Sequence, residues 1–410
     1  MQIKRREGIY IGIMILLFFP LTSWAMDFPE VNMGKAKLRP SLSTSSEYHS
    51  NINLTHKHKG SMIYRVTPGL TLQVPLERVF FQMDTDVRYM NVERGDSIWT
   101  GHGRALLRYS LNNRSSLGLS HDFSRGELYN FTSGNWFDLH QSEFSIKHQL
   151  DPQLAISLAG NQEKYETHIK DGVEGFTDYH QYGGKFIVDN KFTPSTTASL
   201  TGIYAKRTFN DFVGKDYKSW TGTLSVSQKL NPRITVGAYG GYTGRDYKIY
   251  QNAQEMVYGS DFNFILSNLS TFRISYSHGL QDTFYPKDTT LLKNHFDTDE
   301  TLENLLPDNY RYFETDHIAA NLTYHFTDKD TIDIGGAYMS SHSGQDQPFV
   351  MNLVDRRYLK ERAYYSGLSY SHKFTPWLAF DVKGSYGARV SKAREKYDYY
   401  TASSGMSLSF

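Results

Sequence analysis

Fourteen charged residues recur at alternate positions of otherwise apolar runs: Asp84, Asp86 and Arg88; Arg104 and Arg108; Glu143 and Lys147; Lys185 and Asp189; Arg273; Asp333; and Asp381, Lys383 and Arg389. On an extended chain, residues two apart point to the same side. A face of mixed, ionised side chains does the chemistry of a wet wall, which holds water and sorts solutes by charge. The competing reading is a network of opposite charges that fills and stiffens an interior without conducting. Arg88, Arg104 and Arg108 fall on neighbouring runs and form a local basic ladder that favours an anionic solute, opposed by the adjacent aspartates. Catalytic spacing is missing: there is no His-Glu-x-x-His, Gly-x-Ser-x-Gly or phosphate-loop pattern. His56-Lys57-His58 has metal-donor types, but no acid or further His closes a site, and it reads as a polar loop. Asp288, His295 and Asp297 have the residue types of a surface hydrolase, with nothing to fix their geometry. The sequence therefore reads as a non-enzyme without cofactor or metal.

Composition narrows what can carry such a face. The chain has 410 residues, 44 Lys and Arg against 43 Asp and Glu, and no Cys. The charge balance of +1 gives no support to nucleic-acid binding through a basic face. Without Cys there are no disulfides, thiolate metal sites or thiol nucleophiles. Aromatic residues make up 15%, which argues against disorder.

Met1 to Ala25 reads as a secretory signal, with Lys4, Arg5 and Arg6 ahead of the apolar stretch Ile9 to Phe19 and a Ser23-Trp24-Ala25 cleavage pattern. The apolar stretch is about half of the roughly 20 residues a membrane helix needs. Removal of residues 1–25 leaves 41 basic and 42 acidic residues. Residues 26–36 are expected to form a short periplasmic segment, and residues 37–410 a single barrel.

Beyond the signal the pattern has period two. Leu378, Phe380, Val382 and Tyr386 alternate with Ala379, Asp381, Lys383 and Ser385; Val79, Phe81, Met83, Val87 and Tyr89 alternate with Gln82, Asp84, Asp86 and Arg88. Eight turn signals separate such runs: Pro75-Leu76-Glu77-Arg78, Asn112-Asn113-Arg114, Asp151-Pro152, Thr193-Pro194, Asn231-Pro232, Ser267-Asn268, Asp328-Lys329-Asp330 and Thr375-Pro376. Nine longer polar connections are placed near 49–60, 91–96, 124–135, 166–177, 209–217, 246–253, 283–310, 344–359 and 391–396. Seventeen connections imply eighteen strands, with sixteen as the alternative. The runs have about 10 to 15 residues, against the roughly 9 to 11 a tilted strand needs to cross a bilayer. The expected fold is all-β: a closed, up-and-down, antiparallel transmembrane barrel, since closure leaves no sheet edge in lipid. Phe192, Phe326, Phe374 and Trp377 beside the tight turns, and Tyr89, Trp99, Trp136 and Trp220 toward the longer loops, suit two interfacial girdles.

The chain ends Met406-Ser407-Leu408-Ser409-Phe410, with Met406, Leu408 and Phe410 on one face. This resembles the C-terminal signal of bacterial outer-membrane barrels, which implies handling by the barrel-assembly machinery. Glu47-Tyr48-His49-Ser50-Asn51-Ile52, followed by Pro68-Gly69-Leu70, resembles the bacterial outer-membrane β-barrel porin families, some of whose members accompany exopolysaccharide synthesis and export. These motifs cover about the first 40 mature residues. The resemblance implies a Gram-negative outer membrane, contact with its lipid and lipopolysaccharide, and polysaccharide-export components as partners.

The longest loop, Gln281 to Tyr310, has Leu302, Leu305 and Leu306 on one face of a short expected helix ended by Pro307. It reads as a lid over the pore or as an ordinary external loop. The sequence thus points to a channel for passive passage of hydrophilic solutes, including a role in polysaccharide export. A plugged barrel that scaffolds a periplasmic or surface partner, and a surface hydrolase, stand as rivals.

Overall fold

The computed structural model describes residues 31–51, 60–93, 95–127, 136–168, 178–210, 216–248, 252–282, 312–343, 360–391 and 397–409. They form β1 (Val31–Met33), β2 (Ala36–His49), β3 (Ser61–Pro75), β4 (Val79–Val92), β5 (Ile98–Ser110), β6 (Ser115–Glu127), β7 (Trp136–Gln149), β8 (Leu154–His168), β9 (Tyr179–Thr193) and β10 (Thr196–Phe209). The second half follows as β11 (Tyr217–Asn231), β12 (Ile234–Tyr247), β13 (Ala253–Ser267), β14 (Ser270–Asp282), β15 (Tyr312–His325), β16 (Asp330–Ser343), β17 (Lys360–Thr375), β18 (Leu378–Ser391) and β19 (Tyr397–Ser409).

Each strand from β2 to β19 pairs antiparallel with the next, and β19 returns to β2 through partners such as Ser404 with Ser46 and Leu408 with Leu42. The result is a closed barrel of eighteen strands, as the turn count implied. The small β1 is added to the start of β2 by the two-residue turn Gly34-Lys35. Gly34 has φ of +66°, a conformation in which a side chain would be strained, so Gly is required there. Of the expected segment 26–36, residues 31–36 join the wall through this hairpin.

All eight tight turns fall where the sequence put them, and seven share one local device. A side-chain oxygen accepts the backbone N–H two residues on: Asn112 from Arg114, Asp151 from Gln153, Thr193 from Ser195 and Asn231 from Arg233. Ser267 accepts from Leu269, Thr327 from Lys329, and Thr375 from Trp377. The side chain substitutes for a ladder partner as the chain reverses, which is why Asn, Asp, Ser and Thr occupy these sites. The turn after β3 closes instead through Leu76 N–H to the Val79 carbonyl at 2.8 Å.

Strand alternation gives the wall two faces. One carries Leu119 (52% exposed), Leu158 (53%), Leu224 (56%) and Leu368 (53%). The other carries Ile63 (0% exposed), Glu163 (1%) and Arg207 (3%), although no second sheet or helix among the described residues covers them. Only a wall curled around that second face can bury it, so the polar face is the inner one. Eighteen strands about 4.8 Å apart and tilted by about 40° give a backbone cylinder roughly 35 Å across, wide enough for a lumen.

Candidate functional site: the inner wall

The pairing registers place all fourteen expected wall residues on the inner face, opposite the exposed apolar side chains. Asp84 pairs with Arg104 and Asp86 with His102; Glu143 pairs with Asn161 on β8; Asp333 pairs with Ser369, and Lys383 with Ser369 from the other side. Their surroundings differ more than their spacing indicates. Arg104 Nε lies 3.5 Å from the Asp122 carboxylate of β6, and His102 Nε2 lies 2.8 Å from the same group. Asp84 accepts hydrogen bonds from Thr71 Oγ1 at 2.9 Å and Gln82 Nε2 at 2.7 Å. The expected ladder of Arg88, Arg104 and Arg108 therefore splits. Arg104 is held by an acid, whereas Arg88 and Arg108 have no ion-pair partner among the described residues. Asp189 accepts from Ser199 Oγ at 2.5 Å, and Asp333 from Thr323 Oγ1 at 2.5 Å. Arg389 faces inward but is 3% exposed, so it is part of the packing rather than of a solvated surface.

Toward the long loops, β7 to β12 bring together a group that the sequence did not single out. One row of the ladder runs Gln141, Glu163, Gln181, Arg207, Tyr217 and Tyr247 across six consecutive strands. Glu163 accepts hydrogen bonds from Tyr179 Oη and Gln141 Nε2, both at 2.7 Å, and lies 3.6 Å from Arg207 Nη2. Arg207 Nε donates to Gln181 Oε1 at 3.0 Å, and its guanidinium sits 4.1 Å from the centre of the Tyr179 ring. Rings continue the row: Phe137–Tyr165, Tyr165–Tyr179, Tyr179–Phe209 and Tyr217–Tyr247 have centroids 5.2 to 5.7 Å apart. The charge here is enclosed and neutralised. The sequence signal was present: Glu163 and Arg207 lie at inward positions of alternating runs. Only the register brings them together across 44 residues.

The outer face explains where the barrel resides. Its apolar middle is rimmed toward the loops by aromatic pairs: Tyr89–Trp99 at 4.8 Å, Trp220–Tyr242 at 5.7 Å, Tyr338–Tyr364 at 5.2 Å and Tyr48–Tyr400 at 5.9 Å. Trp220 lies over Gly244 of β12, where an added Cβ would come within 2.5 Å of the ring. Apart from Asp330 in the tight turn itself, ionised outward groups begin about ten residues from the tight turns, as with Arg125, whose Nε and Nη2 donate to Asp138 at 2.7 and 2.8 Å. Ten tilted strand residues rise roughly 25 Å, the height of the apolar band in such barrels. These charges therefore stand at the upper rim, not at the waist. Met406 and Leu408 of the C-terminal signal are outward, against Phe380 and Leu378.

Phe410, the lid residues Leu302, Leu305 and Leu306, His56 to His58, and Asp288, His295 and Asp297 lie outside the described residues. Among the described residues no group of three or more His, Asp or Glu is placed to hold a metal ion.

No family model matches the sequence, and no curated protein matches it. Solved structures do match the fold. The chain is similar to the Pseudomonas aeruginosa outer-membrane protein OpdK (12% identity, 91% of this chain and 99% of that one, TM-score 0.55). It is similar to OpdQ of the same organism (12%, 92% and 99%, TM-score 0.52) and to OccK3, also called OpdO (13%, 91% and 96%, TM-score 0.51). The class defined by fold and wall is a closed, porin-like membrane barrel.

Proposed function

We propose that this barrel is an outer-membrane channel for passive passage of small hydrophilic solutes. The supporting observation is the division of the wall: an exposed apolar outer face with an aromatic rim, and an inner face with charged side chains that remain solvated. Arg88, Arg108, Lys147 and Lys185 have no ion-pair partner among the described residues. A wall that served only as a rigid filler would pair its charges, as Glu163 and Arg207 do. The neighbours in fold are bacterial outer-membrane proteins, one of them solved with vanillate bound, and they support the same reading. The polysaccharide expectation rests on the N-terminal motif alone, so the proposal extends to hydrophilic solutes in general.

The test is reconstitution of the refolded barrel into a planar bilayer under applied voltage. Discrete, long-lived conductance steps are expected. A barrel that inserts, shown by heat-modifiable electrophoretic mobility and protease protection, but passes no current would establish the plugged scaffold instead.

A further inference from the structure

The near-neutral net charge of this chain conceals an axial separation. Strands β5, β7, β9 and β11 run toward the tight turns, and each carries a cation two residues before its end: Arg108, Lys147, Lys191 and Lys229. Lys373 repeats the position on β17. All five are on the inner face by register and are exposed. Their partners across the ladder carry no charge: Gly118 for Arg108, Ser157 for Lys147, Thr197 for Lys191, Thr235 for Lys229 and Ala379 for Lys373. None has an ion-pair partner among the described residues.

The acids near this mouth are fewer than the cations and offset only part of the arc. Asp189, two residues deeper than Lys191, is bonded to Ser199, and Asp151 accepts the backbone N–H groups of Gln153 and Leu154. Asp333 of β16, which accepts from Thr323 Oγ1, and Asp381 of β18, opposite Ser371, stand deeper in the wall. Counting the β1–β2 turn, the eight tight turns and the three strand residues flanking each side, there are eleven Lys and Arg against four Asp and Glu. Since the whole chain balances to +1, the remainder is net acidic.

We infer that the tight-turn mouth is an electrostatic vestibule that admits anionic hydrophilic solutes in preference to cations. Cations on alternate strands are about 12 Å apart around the rim. That is close to the screening length of roughly 8 Å at physiological salt, so neighbouring fields overlap and raise the local anion concentration. The inference rests on the channel reading, and the experiment separates the two.

The measurement is the zero-current reversal potential of the reconstituted wild-type barrel in a tenfold KCl gradient. A potential on the chloride side is expected, weakening as total salt is raised. The triple variant K147Q/K191Q/K229Q should still conduct, with its potential moved toward zero. K218Q, an exposed outward residue of β11, should behave as wild type. Conductance without anion preference, or a triple variant with an unchanged potential, would overturn the vestibule and leave the channel standing. No conductance in an inserted barrel would overturn the channel reading itself.

Discussion

The two ends of the inner wall use the same side-chain types in opposite ways. Toward the long loops, Glu163 and Arg207 are enclosed, hydrogen-bonded and covered by Tyr179. Toward the tight turns, Arg108, Lys147, Lys191 and Lys229 are exposed and have no ion-pair partner among the described residues. A buried charge survives only with its partners, so the loop-end group is a structural clamp. An exposed charge contributes little to folding and keeps its field for solutes. Inward orientation alone therefore does not assign a role; the company a charge keeps does.

The largest expected effect comes from breaking the clamp. Arg207→Ala removes the guanidinium that stands 3.6 Å from the buried Glu163 carboxylate and should destabilise the barrel by about 3–5 kcal/mol. The readout is the urea midpoint of unfolding in lipid vesicles, followed by tryptophan fluorescence. Adding Glu163→Gln should recover part of the loss, because the uncompensated charge is gone. If Arg207→Ala behaved like a surface change, the enclosure argument would be wrong and the two ends would be alike.

The next effect contrasts the faces rather than the ends. Leu158 is outward, four residues into β8, close to the middle of the apolar band by strand rise and tilt. Leu158→Arg should cost about 2–4 kcal/mol in lipid, the penalty for a cation on a barrel's lipid face near the midplane. Ser157→Arg, one residue earlier and inward, should cost much less, about 1 kcal/mol at most, from the like charge of Lys147 opposite it. Equal penalties at both positions would contradict the assignment of faces.

Much of this was legible in the sequence, for local reasons. Asp151, Asn231 and Thr375 mark turns because each side chain bonds a backbone N–H two residues on. Once turns are fixed, period two assigns every side chain to a face, which is why Asp84, Lys147 and Lys383 all proved inward. What was not legible depends on register. The capture of Arg104 by Asp122, the burial of Arg389 and the row from Gln141 to Tyr247 arise where strands far apart in sequence come level. Nothing in a single run of alternating residues states which rung of the ladder its neighbour will meet.

The smallest expected effect is the most discriminating for the comparison. Lys191→Gln removes one positive charge from the inner wall, just as Arg207→Ala does. Lys191 is exposed and opposite Thr197, with only the hydroxyl-bonded Asp189 nearby on its own strand. Its loss should therefore change stability by no more than about 0.5 kcal/mol, the usual range for surface substitutions. The same urea titration checks this, run beside the Arg207 variant at matched salt. A large loss would mean that Lys191 is bound into the wall, and would move the mouth from the functional to the structural side of the comparison. A negligible loss, with reversal potential shifted in the same preparation, would show that an inward charge can act on solutes while contributing almost nothing to the fold.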